Sequence, residues 1–573
     1  MRVLLLASAF NGLTQRLQRE LSAREHIVSV ELAISPQAME EAVTLFGPDI
    51  ILCPFLKQRV PDSIWKGHTC LIVHPGIEGD RGPASLDWAI RGGVTEWGVT
   101  LLHAAEEMDA GHIWGTATFP MREGSKGSLY RREVTEHTVR LVFAALDQHA
   151  DHRFRPRALN YDDPNVRGRW NRAMRQEDRA IDWRKDSTES IVRGINAADG
   201  APGVLDEIAG TPMHLYGARA AIGLHGRPGE LIAQSHGAIC RGTTDGAVWI
   251  SHLKLATGAR PGPGAIKLPA TSVIGDAADA LPHLETDGMD AADIGCNEIR
   301  YYESGAVGYL HFDFYNGAMN SAQCHRLKQM LAQVKRRPIK VIALLGGEEF
   351  WSNGIHLNCI EAAPSSADES WANINAMNDV LQEIIRTDRQ QTVSVLRTNA
   401  GAGGAVMAAA CDHVWIRSGV VLNVHYQTMG LYGSEYWTYV LPRRVGSENA
   451  RRLTQDCMPT LASEAQSMGL ADLVLPEQWI DCRHQVDRLC IELSEPVRSE
   501  KALAAKAIAR ERDEQRKPLQ AYRDEELRHM YRTFYDPSSS YHEARRNFVY
   551  KRAAEATPLR IATHRESLLR RRA

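Results

Sequence analysis

Five short apolar runs open the chain, at residues 2–7, 28–33, 49–53, 70–73 and 97–103, separated by stretches of helical or loop character. Runs of that length, alternating with helix-like spacing, predict a parallel sheet covered on both faces, because a strand buried on two sides has no polar face to alternate with. Ligands of such sheets gather beyond the carboxyl ends of the strands. His74-Pro75-Gly76 stands at one of these ends. Asn11-Gly12, followed by Leu13, Leu17 and Leu21, reads as a turn into the first covering helix and not as part of a leader segment.

One sheet of this kind cannot use 573 residues, and the texture changes along the chain. After about Asn160 a helix at Ser187–Ile195 precedes short strands with glycine turns at Met213–Tyr216, Gly229–Ala233, Ala238–Arg241 and Gly246–Leu253. That pattern predicts a small barrel or sandwich. Gly258, Pro261, Gly262, Pro263 and Gly264 lead into an acidic, Ala-rich stretch that reads as a linker. A second α/β pattern runs from Ile299 to about Pro476, and beyond Pro496 the composition predicts long charged helices. The expected organisation is an α/β multidomain chain: a Rossmann-like domain over 1–164, a small OB-like β-barrel over 165–275, a linker over 276–296, a second α/β domain over 297–480 and helices over 481–573.

Sixty-seven basic and 70 acidic residues leave a net charge of −3, so no overall field favours nucleic acid or an anionic membrane. Ten cysteines without a C-x-x-C pair argue for reduced thiols, against a disulfide framework, and for no structural metal. No run reaches the roughly 18 apolar residues of a membrane span. The expected location is the cytoplasm, with small molecules as the binding partners.

Two groups of segments carry chemistry. The first is Leu71-Ile-Val-His-Pro-Gly-Ile-Glu-Gly-Asp-Arg-Gly-Pro-Ala-Ser-Leu-Asp-Trp-Ala-Ile90, together with Trp97-Gly-Val-Thr-Leu-Leu-His-Ala and Met108-Asp-Ala-Gly-His-Ile113. Acyl transfer passes through a tetrahedral oxyanion, and an imidazole donor oriented by a carboxylate is the minimum equipment for it. These segments resemble the strand-end motif of the 10-formyltetrahydrofolate-dependent formyltransferases, which also carry an appended small barrel. The resemblance implies His74 as the catalytic imidazole, Asp109 as the carboxylate, and Gln15, Arg81 and Arg131 as folate-binding residues; His103 and His112 read as structural. One departure stands out, since Ile72 occupies the place of the family's Asn, a second oxyanion donor. Losing one such donor typically costs on the order of 100- to 1000-fold in rate.

The second pair of segments, Phe350-Trp-Ser-Asn-Gly-Ile-His-Leu357 and Asn399-Ala-Gly-Ala-Gly-Gly-Ala-Val-Met-Ala-Ala-Ala-Cys-Asp412, consists of glycine turns of the kind that aim backbone N–H groups at one spot. They resemble the oxyanion-hole turns of the crotonase (enoyl-CoA hydratase/isomerase) superfamily. That resemblance implies a crotonase-like domain with an oxyanion hole at Asn353, Gly403 and Gly404. It implies coenzyme A bound by Ala318, Asn320 and Gly354 and by a basic tail of Arg545, Arg546, Lys551 and Arg552. Where hydratases carry catalytic glutamates, this chain has Val406 and Tyr426. Water addition is therefore not expected. Tyr426 is the first candidate for proton transfer and Glu435 the second.

A formyltransferase-like half joined to a hydratase-less crotonase half is similar to one family, the hydrogenase maturation factors HypX (HoxX). The likeness implies two cofactors used as substrates, 10-formyltetrahydrofolate and coenzyme A. It implies formyl transfer to CoA, decarbonylation of formyl-CoA, delivery of the carbon monoxide to the iron of a NiFe hydrogenase, and the maturation proteins of that hydrogenase as possible partners. Two alternatives stay open: a formyltransferase acting on an amine with a CoA-binding regulatory module, and a non-catalytic maturation scaffold.

Overall fold

Asn11 turns the chain out of the first strand and caps the first helix, accepting from Thr14 N, so that Leu13, Leu17 and Leu21 of Gly12–Ala23 pack inward. Ser35 caps the next helix, Pro36–Phe46, whose first residue is the proline favoured there, and left-handed Gly47 ends it. These local signals build the first layer of a computed structural model that describes residues 1–257, 265–284 and 295–565. Two units divide the chain. One contains Met1–Ala265, Pro269–Pro282 and Ala553 onward, and the other Ile266–Leu268 and His283–Arg552.

In the first unit Ile27–Leu32, Arg2–Ala7, Ile50–Phe55 and Cys70–His74 lie side by side in parallel register. Glu96–His103 and Ile113–Pro120 extend the sheet in the antiparallel sense. The sheet is thus mixed, which corrects the expectation of a parallel strand at 97–103. The chain leaves His74, crosses a loop and the short helix Ser85–Arg91, and re-enters from the same end, with Leu71 opposite His103.

The small domain follows as an antiparallel sheet ordered Val204–Ile208, Thr211–Ala220, Ala247–Leu255, Ala238–Gly242, Leu231–Ser235. Among the described residues its two outer strands do not pair, so the barrel is open. The strand Val204–Ile208 escaped the sequence because it shows no alternation, with only its end residues buried. Residues 276–282 are not a linker as expected: the helices Ala270–Ile274 and Asp276–Asp279 fold back on this sheet, and Gln234 Nε2 donates to Ala278 O. Of the segment read as a linker, 285–294 lies outside the described residues, as do 258–264.

The outer strand Ile27–Leu32 gains a partner from far along the sequence. Val30 N donates to Ile561 O, Ser29 Oγ meets His564 Nδ1 at 2.7 Å, and His564 Nε2, Thr557 Oγ1 and Arg565 Nε all reach the Glu31 carboxylate within 2.9 Å. The final stretch of the predicted helical region therefore belongs to the first unit.

In the second unit the antiparallel hairpin Ile299–Ser304 and Val307–Phe312 leads into parallel strands Val341–Leu345, Gln391–Leu396, His413–Arg417 and Leu473–Leu475. A three-stranded sheet of Ala400–Gly401, Val421–Asn423 and Thr460–Leu461 accompanies it. The expected terminal helices are present at Trp479–Ser494, Pro496–Arg516, Leu519–Tyr535 and Ser540–Val549. All ten cysteines are free, and no helix of the described residues is long and apolar enough to cross a membrane.

Candidate functional site

His74 closes its strand with only 4 % of its surface exposed. Its Nε2 lies 2.8 Å from Asp80 Oδ2 and its Nδ1 3.5 Å from Asp109 Oδ2, so the ring sits between two carboxylates. Burial opposes a charge on the ring, but the hydrogen bond to Asp80 and the charges of Asp109 and Asp80 outweigh it, and the pKa of His74 is raised. Asp80 was not anticipated from the sequence. Asn171 Nδ2 orients its other oxygen at 3.1 Å. Gly76 permits this arrangement, since a Cβ there would strike both His74 and Asp80.

Asp109 adopts a left-handed backbone, φ 54°, and accepts from Gly82 N at 3.0 Å. Arg81 braces that bend from below: its Nε donates to Met108 O and it pairs with Glu107. These bonds tie Arg81 to the loop that leads into Asp109. Gln15 is half-buried and donates to Phe10 O. Arg131 lies in a π-helical turn, Tyr130–Val134, of the type that often marks functional sites. Ile72 shares the strand face of His74 and packs against the core under the sheet. His103 Nδ1 bonds Ala104 O, and His103 N donates to the backbone carbonyl of His112.

The second centre is built by two turns tied through the backbone. Trp351 N donates to Asn399 O and Gly401 N to Ser352 O, and a Cβ on Gly354 would lie 3.3 Å from Gly403 N. Gly403 and Gly404 open the helix Gly403–Ala409, where the first N–H groups have no intrahelical acceptor. Ala402 before them is held at φ 46°, a strained value for a residue with a side chain. Asn353 departs from expectation. Its N–H donates to Gly317 O at 2.7 Å and its Nδ2 to Asn316 O, so in this conformation it anchors the loop around Ala318 and leaves the open donors to Gly403 and Gly404. Left-handed Gly317 turns its carbonyl inward to make this possible.

Tyr426 and Glu435 meet. The Tyr426 hydroxyl donates to Glu435 Oε2 at 2.8 Å, and Ser434 N donates to the same oxygen at 3.0 Å. Oε1 is thereby left facing Gly403, where an added Cβ would collide with it. Burial pushes the Glu435 carboxyl up to about 7 against the bonds from Tyr426 and Ser434. Burial and the Glu435 charge also raise the Tyr426 phenol well above its ordinary value. Val406 is a fully buried core residue.

The residues assigned to coenzyme A divide. Asn320 is spent on capping the helix Ser321–Val334, exchanging bonds with Gln323. Arg545 points into the core with Tyr541 and Val549, pairing with Glu361 at 2.7 Å and with Ser366, so it does not join a surface phosphate cluster. The four-residue spacing of a helix face explains the error. Arg546, Lys551 and Arg552 are exposed.

An imidazole at a strand end on a mixed α/β sheet, followed by a small antiparallel domain and then by paired glycine turns, defines a formyltransferase-type part joined to a crotonase-type part. Sequence profiles agree: residues 173–262 match the C-terminal domain of formyl transferases and residues 304–557 the enoyl-CoA hydratase/isomerase family. The chain belongs to the HoxX/HypX family of hydrogenase maturation factors. It is 46 % identical to the hydrogenase maturation factor HoxX of Bradyrhizobium diazoefficiens over 99 % of this chain and 97 % of the relative. The crystal structure of HypX from Aquifex aeolicus in complex with tetrahydrofolic acid superposes with a TM-score of 0.94 at 42 % identity, covering 99 % of each chain. A methionyl-tRNA formyltransferase of Geobacter sulfurreducens is 24 % identical over 41 % of this chain and 73 % of its own.

Proposed function

We propose that this chain passes a formyl group from 10-formyltetrahydrofolate to the thiol of coenzyme A and then splits the formyl thioester into carbon monoxide and CoA. Family membership supports a hydrogenase iron as the destination of the CO. In the first step the sulfur attacks the formyl carbon, the N10–carbon bond breaks, and the proton lost from sulfur is made up on nitrogen. His74, its pKa raised by Asp80 and Asp109, offsets the transient oxyanion with fewer donors than a site that keeps the Asn. In the second step the formyl C–H and C–S bonds break. The C–H electron pair stays on carbon as CO forms, and the C–S pair leaves with sulfur. Glu435 Oε1 takes the formyl proton, Tyr426 protonates the sulfur, and Glu435 returns the proton to Tyr426. No oxidant is needed.

The observation that carries this reading is the Tyr426–Glu435 pair with its free oxygen over Gly403 and a carboxyl near 7, ready to exchange a proton at neutral pH. A formyl thioester has no α-carbon for enolate chemistry, which fits the loss of hydratase carboxylates at Val406 and Tyr426. The test is incubation with 10-formyltetrahydrofolate and CoA while a haem protein reports CO. CO dependent on both substrates supports the reading, and formyl transfer to a small amine without CoA refutes it.

A further inference from the structure

Glu435 and Tyr436 are consecutive residues with side chains at φ 61° and 57°, both in the left-handed region. A backbone of this kind persists only where its surroundings over-determine it. Two groups do so here. Asn378 Oδ1 accepts from Glu435 N at 2.7 Å, and Glu526 Oε2 accepts from Tyr436 N at 2.9 Å. Glu526 Oε1 also takes the N–H and hydroxyl of Thr438 at 2.8 and 2.6 Å, capping the helix Trp437–Gln455, which has no side-chain cap of its own. Ser434 Oγ links the two anchors, bonded to Asn378 and 3.3 Å from Glu526 Oε2.

Glu526 comes from the helix Leu519–Tyr535, some 90 residues further along, and is 0 % exposed. A buried carboxyl aimed at backbone amides is an expensive way to cap a helix that a serine could cap locally. Its placement gains sense from what it holds. Burial pushes its carboxyl up to about 8 against the bonds from Thr438 and Tyr436, and the Glu435 charge adds to the rise.

We infer that Glu526 is a positioning residue of the second centre: from the C-terminal helices it locks the 434–438 turn so that Glu435 Oε1 stands over Gly403. The inference rests on the proposed role of Glu435. It predicts that the turn and the chemistry loosen together when Glu526 is shortened, while formyl loss from the folate is untouched.

The experiment uses the full chain with Glu526→Ala and Glu526→Gln. Hydrogen–deuterium exchange of the peptide spanning 434–438 is read alongside CO release from formyl-CoA supplied directly. Glu526→Ala is expected to exchange faster in that peptide and to lose kcat by about 100-fold at little-changed KM, the scale of a 1 Å misplacement at a reacting group. Glu526→Gln keeps one amide-accepting oxygen and is expected to recover part of both. Unchanged exchange and unchanged kcat in Glu526→Ala overturn the inference. So does a loss of kcat that tracks general unfolding across the unit and is not rescued by glutamine. If the wild-type chain releases no CO from formyl-CoA, the proposed function fails instead, and the exchange arm still decides whether Glu526 holds the turn.

Discussion

Replacing Glu435 by glutamine is expected to stabilise its surroundings at alkaline pH while removing their chemistry. The carboxyl has an ordinary value of 4.5 and stands at about 7 in the fold. Between those two values the folded state holds a proton that the unfolded state has released, so stability falls as pH rises, by about 3 kcal/mol in all, and then levels off. Glutamine does not titrate. Because Tyr426 and Ser434 both donate to Oε2 alone, a single amide oxygen can serve both, and little should change at pH 4.5. At pH 8 the variant should be the more stable by about 3 kcal/mol, and relief of the repulsion on Glu526 adds in the same direction. A chain of two units is unsuited to a single unfolding transition, so the assay is native-state hydrogen exchange of the helix Gly403–Ala409. Protection there should be about 100-fold greater in Glu435→Gln than in the wild type at pH 8 and nearly equal at pH 4.5. A ratio that is the same at both pH values would refute the burial argument, and wild-type CO release by the variant would refute the role of the group.

His74→Ala and Asp109→Asn should abolish formyl loss from the folate yet leave CO release from supplied formyl-CoA intact; normal deformylation in both would remove the assignment. Asp80→Asn should lower the His74 pKa, followed by NMR titration of its ring. The matching loss of stability should be full below pH 6.5 and fade as pH rises through the raised value, because the folded imidazole binds its proton more tightly. Gly403→Ala should stop CO release outright, since the methyl collides with Glu435 Oε1. Arg545→Ala should destabilise by about 3–5 kcal/mol by stranding Glu361. Any preference for CoA over dephospho-CoA in thermal shift should instead follow the exposed Arg546, Lys551 and Arg552.

Most of the strands, the glycine turns and the candidacy of Tyr426 and Glu435 were accessible from the sequence, because each rests on local periodicity or on a motif a few residues long; that the two side chains meet came only with the fold. Asp80 was hidden although it lies only six residues beyond His74: its approach depends on a loop folding back over Gly76, and nothing in the spacing marks that. Arg81 sits in the motif and looks like a ligand for an anion, and nothing in the spacing shows that it also ties down the loop before Asp109. Arg545 was misjudged by one helical step, since a buried arginine and a solvated one differ only in which face of Ser540–Val549 they occupy. Glu526 was beyond reach altogether. Its importance lies in contacts with a turn 90 residues earlier, and its own helix reads as one more charged surface helix.

The seam between Ile27–Leu32 and the far end of the chain bears on how the molecule is made. Ser29 waits 535 residues for His564, and at about 5–20 residues per second that interval is on the order of 30–100 s of translation. Throughout it the outer strand has an unpaired edge, and Glu31 lacks the basic and hydroxyl partners that lower its pKa against the cost of burial. The first unit to emerge from the ribosome is therefore among the last to be finished. A chain interrupted before Thr557 would carry both candidate sites and still expose the unpaired edge of the outer strand.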